Sequence, residues 1–549
     1  MNVGHDAVVS RMITNARQVV IVPRVQCRFR KRSRRNRELH NDIHSDNTCT
    51  GFVTKIPPLW QSRPVLITGS RVHLQKSRRS RVWRGGVGVL TAATLTLATP
   101  AGAEAAPAVE PDLGPALAGF SELWTASGKG DLHGRAKNQK VLARNDRLAV
   151  WINRNATEAQ QFRALQDAMY QNSTATSYDQ SLTLSTGLGS VLGPLYRKGR
   201  TSGALPLTSA LINSSDGTSG AHLNVNPLKT RFSYPRPYLP SNSDTAAVPG
   251  FAEECDPSKV SGSSLRWLRL KQPYATAKGN LRIKRVTDRN DTTHQFAPND
   301  VYLSAGYGSA GLCTGGSFPS GHGTTAYQAG LTLATLLPEL APEILARTSE
   351  AGNNRLVLGV HYPLDVMGGR IAAQASLAAQ WSDKEYRTKV LEPARRELVR
   401  YLKQSCKSTL AKCIARQKSY RSNPYGGKKM PGGTAQLVTG RKSALKVYRE
   451  RLTYGFPREG KKKFKASVPA GAANLLLTTF PTLTKTQRTS VLAQTQIPSG
   501  YPLDRSGHKG KSWQRLDLAA AMSATVKVSK KTGKVKVVST GGPARVRKG

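Results

Sequence analysis

Residues 316–327, "GSFPSGHGTTAY", put a Pro-Ser-Gly-His turn directly before a run of small and apolar residues. The helix predicted over 323–337 carries Ala326, Gly330, Leu333 and Leu337 on one face, with Tyr327, Leu331 and Ala334 beside them. It is apolar nearly all round, so it is expected at the centre of the fold. A later helix, predicted over 363–381, carries Gly368, Gly369, Ala372 and Ala373. Such small residues let two backbones approach closely, and polar groups at the N-termini of packed helices make a rigid anion site. Two partial echoes lack this setting. "IPSGYPL" has Pro498, Ser499 and Gly500 but no His, and "RSGHKGK" has Ser506, Gly507 and His508 but no Pro and no helix behind it.

Two more segments fall into line with the turn. "KTRFSYPRP" supplies Lys229, then six residues, then Arg236-Pro237; "NRLVLGVHYPLD" supplies Arg355, five residues, His361, three residues and Asp365. The pattern K-x6-RP … PSGH … R-x5-H-x3-D resembles the type 2 phosphatidic acid phosphatase superfamily, which also contains bacterial acid phosphatases and vanadium haloperoxidases. Similarity to the soluble, secreted bacterial acid-phosphatase-like members extends over roughly 115–520, through "GLGSVLGPLYRKG", "VLGVHYPLDVMGGRI" and "VPAGAANLLLTTFPTLTKTQRTSVL". Asn354 stands where the family usually has Ser.

The residue types suit phosphoryl transfer, in which catalysis is mostly positioning and charge stabilisation. Lys229 offers a point charge, and Arg236 and Arg355 offer planar forks matched to oxyanions. Ser320 adds a hydroxyl, and the Gly321 N–H can approach an anion with no side chain in the way. The resemblance implies that His361 is the nucleophile, forming a phosphohistidine. Asp365 would hold the other ring nitrogen, while His322 protonates the leaving oxygen and then activates water. No metal or cofactor is expected in this scheme. The implied function is a metal-independent phosphomonoester hydrolase with an acid optimum, its substrate a phosphorylated small molecule. The alternatives are a vanadium-dependent haloperoxidase, with vanadate in the same cradle, and a lipid phosphate or diphosphate phosphatase.

Outward from the motifs, residues 118–210 read as mostly helical, with a helix capped at Thr157, and 211–320 read as long ordered loops. Helices are also predicted over 342–350 and 384–405, another short one in "TKTQRTSVLAQTQI", and a hairpin in "SATVKVSKKTGKVKVVS". The fold class is mainly α, a helical bundle with long loops. Its domains are a leader with an export signal (1–103), a helical phosphatase-type domain (104–413) and a basic C-terminal extension (414–549).

The signal consists of a basic stretch, an apolar run over 85–98 and a small-residue site at Ala101-Gly102-Ala103, which predicts a secreted or otherwise extracytoplasmic protein. It begins so late that residues 1–70 read either as an over-extended start or as a disordered leader. Export makes disulfides possible. Of six cysteines, Cys255, Cys313, Cys406 and Cys413 lie past the leader and allow three connectivities. Cys406–Cys413 with Cys255–Cys313 is the favoured one, and no CxxC spacing points to zinc.

Net charge is +49, and residues 104–549 alone carry 64 Lys and Arg against 29 Asp and Glu. Such a field draws anions without choosing among them. The basic C-terminal stretches read first as a solvated surface, with adhesion to an anionic wall or membrane surface as the next reading. Nucleic acid is disfavoured, because no recognition fold accompanies the charge. His133, His222, His294 and His508 lack motif partners and are expected outside the site.

Overall fold

The turn and its small-residue helix sit where three helices meet. The computed structural model describes residues 111–170, 180–212, 223–237, 263–307, 312, 315–508 and 512–548. The architecture is mainly α. In chain order the principal helices are α1 (Gln139–Asn155), α2 (Glu158–Met169), α3 (Gly189–Thr201), α4 (Asn226–Phe232), α5 (Gly321–Leu336) and α6 (Ala341–Val357). They continue as α7 (Pro363–Gln380), α8 (Glu392–Ser405), α9 (Arg441–Arg451), α10 (Lys485–Thr495) and α11 (Leu518–Met522). Side-chain caps fix several starts: Thr157 accepts from the Gln160 N–H ahead of α2, and Thr484 accepts from the Gln487 N–H ahead of α10.

Strands are few and short. β1 (Trp124–Ala126) pairs with β2 (Gly134–Ala136), and β3 (Arg289–Asp291) with β4 (Val301–Leu303). A three-stranded sheet holds β5 (Thr525–Val528) between β6 (Val535–Ser539), antiparallel, and β7 (Arg545–Lys548), parallel. The expected hairpin is therefore present, with a third strand that its alternation does not announce.

α5 packs against both α6 and α7, and the chain bends by 114° between α5 and α6. Glycines permit this closeness. A Cβ on Gly330 would fall on the Thr348 side chain of α6, and one on Gly369 of α7 would meet the Ser320 carbonyl and Thr324 N–H, each at 2.9 Å. Gly330→Ala is therefore expected to destabilise the protein by about 1–3 kcal/mol through overpacking. Chemical denaturation would show it, and Thr348→Ala in the same chain should restore much of the loss. An unchanged midpoint in the single variant would refute the close-packing account.

α6 is buried along its whole length, although it carries Glu343, Arg347, Glu350, Asn353, Asn354 and Arg355. Three of its four charges are paired rather than hydrated: Arg347 makes a two-pronged contact with Asp167, Arg163 and Ser422 reach Glu350, and Arg441 reaches Glu343. Residues 414–548 contribute Tyr425, Tyr448, Leu452, Leu475, Val491 and Val526 to the same core as the preceding helices. Cys406 and Cys413 form the expected disulfide. The export signal, the Cys255–Cys313 pairing and His222 lie outside the described residues. Among the described residues no single helix is long and apolar enough to cross a membrane.

Candidate active site

Four separate chain segments deliver the motif residues to one place. α4 brings Lys229, and the extended residues after it bring Arg236. The turn ahead of α5 brings Ser320, Gly321 and His322. The end of α6 brings Arg355, and the start of α7 brings His361 and Asp365. The Phe318–Pro319 peptide is cis, and Phe318 stacks on Phe120 with ring centroids 3.9 Å apart. Ser320 caps α5 by accepting from the Gly323 N–H at 3.0 Å, while its own N–H donates to the Asp365 carbonyl at 3.0 Å. That second bond ties the start of α5 to the start of α7. Among the described residues, a Cβ added at Gly321 would touch nothing closer than Val225 at 3.7 Å, which leaves open space beside that glycine.

The histidine–carboxylate pair is held through one carboxylate oxygen. Asp365 Oδ2 accepts from the Ser317 hydroxyl at 2.5 Å, from the Tyr362 N–H at 2.8 Å and from His361 Nδ1 at 3.0 Å. The proton on Nδ1 leaves Nε2 with the lone pair, and Arg236 Nη1 donates to that nitrogen at 3.0 Å. Arg236 also donates to the Gly315 and Val360 carbonyls, and Lys229 Nζ donates to the Gly316 carbonyl at 2.8 Å. Arg355 differs. Its guanidinium is buried, yet among the described residues Nε and Nη1 have no hydrogen-bond partner. Buried unpaired donors are costly, and an oxyanion seated there would satisfy them.

Three cations with one carboxylate among them shift each other's titration. Burial first, then Arg236 and Arg355, hold Lys229 well below its ordinary range, against the pull of Asp365. Burial and Arg236 lower Arg355 to about 9. His361 and His322 are both pushed well below the ordinary imidazole value by burial and then by the same three cations. Burial raises Asp365 to about 6, opposed chiefly by the Ser317 hydroxyl and the Tyr362 N–H. Every cationic shift has the sign of a site lacking its counter-anion.

Ser317 was not singled out by the motif, although it stands three residues before Ser320 in the opening stretch. What the sequence does not display is its reach across 48 residues to Asp365. Since that bond lowers the Asp365 pKa, Ser317→Ala is expected to raise it further. The acid limb of the pH–rate profile should move to higher pH, with kcat down by roughly tenfold and partial rescue by Ser317→Thr. An unmoved acid limb would reduce Ser317 to a packing residue.

The unusual Asn354 is also accounted for. Its Nδ2 donates to Asp167 Oδ2 at 2.8 Å, and its Oδ1 accepts from Gln160 at 2.6 Å. Both partners belong to α2, so Asn354 fixes the helix end that presents Arg355. The other described histidines sit apart from the site: His133 contacts Asp131, His294 contacts Asp300, and His508 contacts Glu122. The echo at Ser499 is structural; its hydroxyl donates to the Lys461 carbonyl and accepts from the Phe464 N–H. Among the described residues no group of three or more His, Cys, Asp and Glu side chains gathers as a metal site would require.

Comparison with known proteins agrees in position with this geometry. Residues 207–389 match the PAP2 superfamily, a span that contains every motif residue. Over 116 residues the chain is 35% identical to an acid phosphatase of Zymomonas mobilis, covering 21% of this chain and 44% of that protein. Over 92 residues it is 35% identical to a non-specific acid phosphatase of Providencia stuartii, covering 17% and 37% respectively. The chain thus spans less than half the length of the curated relatives it matches.

Proposed function

We propose, from the match of residues 207–389 to the PAP2 superfamily, that the protein is a phosphatase that hydrolyses phosphomonoesters outside the cytoplasm through a phosphohistidine on His361. The observation carrying this reading is the buried Arg355 guanidinium with two unpartnered nitrogens, beside a histidine whose free lone pair is aimed by Asp365. The phosphoryl oxygens fit Lys229, Arg236, Arg355, the Ser320 hydroxyl and the Gly321 N–H. On binding, Arg236 exchanges its contact with His361 Nε2 for a phosphoryl oxygen, which frees the lone pair.

Nε2 then attacks phosphorus in line. The N–P bond forms as the bond to the leaving oxygen breaks, and His322 delivers a proton to that oxygen. The Nδ1 proton stays on the Asp365 side, where the carboxylate balances the positive ring. In the second step His322 takes a proton from water, the oxygen attacks phosphorus, and the N–P bond breaks to release phosphate and restore His361. The three cations supply the charge stabilisation, so the scheme needs no metal.

The pH dependence follows from the shifts. A depressed pKa keeps His361 neutral and nucleophilic through the acid range. The same depression leaves His322 unprotonated in the empty site near neutrality. Its proton must then arrive with the substrate monoanion, whose share falls above about pH 6. On the other side, Asp365 loses its charge as pH drops through about 6. kcat/KM should therefore peak on the acid side and decline towards pH 9, and a flat profile from pH 5 to 9 would overturn the roles given to His322 and Asp365. Phosphate release from a soluble monoester, undiminished by a chelator, tests the reaction itself. Halide oxidation that needs added vanadate, without phosphate release, would favour the haloperoxidase alternative.

A further inference from the structure

The C-terminal sheet carries a row of cations that the fold alone does not need. In register, Lys527 of β5 stands opposite Lys536 of β6 on one side and Arg547 of β7 on the other. Paired residues share a face, and neighbouring strands lie about 4.8 Å apart, so three cations span roughly 10 Å across the sheet. Lys534 and Arg545, two residues along from Lys536 and Arg547, extend the same face, and all five are exposed. The opposite face is mostly apolar, with Val526 and Val535 buried against the core and Lys548 its one cation at the strand end. Like charges directly opposite each other weaken a sheet. Nothing nearby offsets this: residues 518–549 contain eight Lys and Arg and no Asp or Glu, and no ion pair among the described residues involves Lys527, Lys536 or Arg547.

We propose that this face is a docking surface for a linear phosphate-repeat polymer, held by charge alone. Single-stranded nucleic acid is gripped by aromatic side chains that stack on its bases, and residues 525–548 contain no Phe, Tyr or Trp. Interfacial membrane binders insert aromatic or Leu side chains, and the exposed apolar residues here are only Val538 and Val546. Rows of Lys with an Arg fork match closely spaced phosphates.

The surface also lies away from the catalytic cradle. Arg441 donates to the Gly541 and Gly542 carbonyls beside the sheet and, at the same time, to Glu343 near the start of α6. Arg355 is twelve residues further along that helix, about 18 Å at 1.5 Å per residue. A polymer docked on the sheet leaves the cradle open to substrate.

Long-chain inorganic polyphosphate is the probe, with excess orthophosphate present to fill the cradle. The Lys527→Gln/Lys536→Gln/Arg547→Gln variant should bind at least tenfold more weakly at 0.15 M salt. Its log–log salt slope should be shallower by about 2, as expected for three lost phosphate contacts on a single strand. Hydrolysis of a small soluble phosphomonoester should match wild type, which shows that the fold is intact. The control Lys461→Gln/Lys462→Gln/Lys463→Gln should lose less than twofold. Wild-type affinity in the sheet variant, or an equal loss in the control, would overturn the proposal. So would single-stranded DNA or phosphatidylglycerol vesicles that bind as tightly as polyphosphate and with the same loss in the sheet variant.

Discussion

His361→Ala is expected to lower kcat by on the order of 10^4 to 10^6, the scale on which losing a covalent nucleophile acts. The reason is specific to the geometry. Among the described residues, no other nucleophilic side chain is hydrogen-bonded to both Asp365 and Arg236 as His361 is. Binding should survive, because the unpartnered nitrogens of Arg355 and the Lys229 ammonium remain to hold phosphate. The expected pattern is a collapsed kcat with inorganic phosphate still binding. Rapid quench with labelled substrate should trap a base-stable, acid-labile phosphoprotein from wild type and none from the variant. If the variant kept more than about 1% of wild-type kcat, the nucleophile would have to be sought elsewhere.

Asp365→Asn should cost roughly 10^2 to 10^4 in kcat while leaving phosphate affinity nearly unchanged. Three donors converge on Oδ2, from Ser317, Tyr362 and His361. If the amide oxygen takes their place, the hydrogen bonds persist but the charge that balances the phosphorylated ring is gone. If the amide nitrogen faces His361 instead, it forces the ring proton onto Nε2 and removes the attacking lone pair. Either outcome also abolishes the titration of the carboxylate, which burial places at about 6. The acid limb of the profile should vanish along with the rate. A variant within tenfold of wild type would mean that the tautomer is set by something other than Asp365.

The motif residues were legible because phosphoryl chemistry restricts their types and the chain keeps their spacing. Helix positions were legible where small or apolar residues recur: the expectation of 323–337 meets Gly321–Leu336, and 363–381 meets Pro363–Gln380. α6 was harder. The expected helix stops at 350, ahead of Ala-Gly-Asn-Asn, since Gly and Asn are poor helix formers. Tertiary contacts override that preference: Gly352 makes room for Val366, Tyr425 donates to Asn353, and Asn354 is held by Gln160 and Asp167. The hydrogen-bond partners come from segments 72 to 194 residues away, a separation that no local pattern encodes. Charge misleads in the same manner over 414–548, where abundant Lys and Arg mask the apolar residues that join the core.

The burial of α6 has a bearing on the order of synthesis. The last motif residue is Asp365, yet the helix that presents Arg355 is enclosed by residues made much later. Tyr425 donates to Asn353, and Arg451 donates to the Ala346 carbonyl and to Ser349. α11, beyond residue 517, packs on α6 as well. A nascent chain that has already emerged past Asp365 therefore holds every motif residue without the walls that keep them in place. The walls around that helix are complete only once Tyr425, Arg451 and α11 have folded against it.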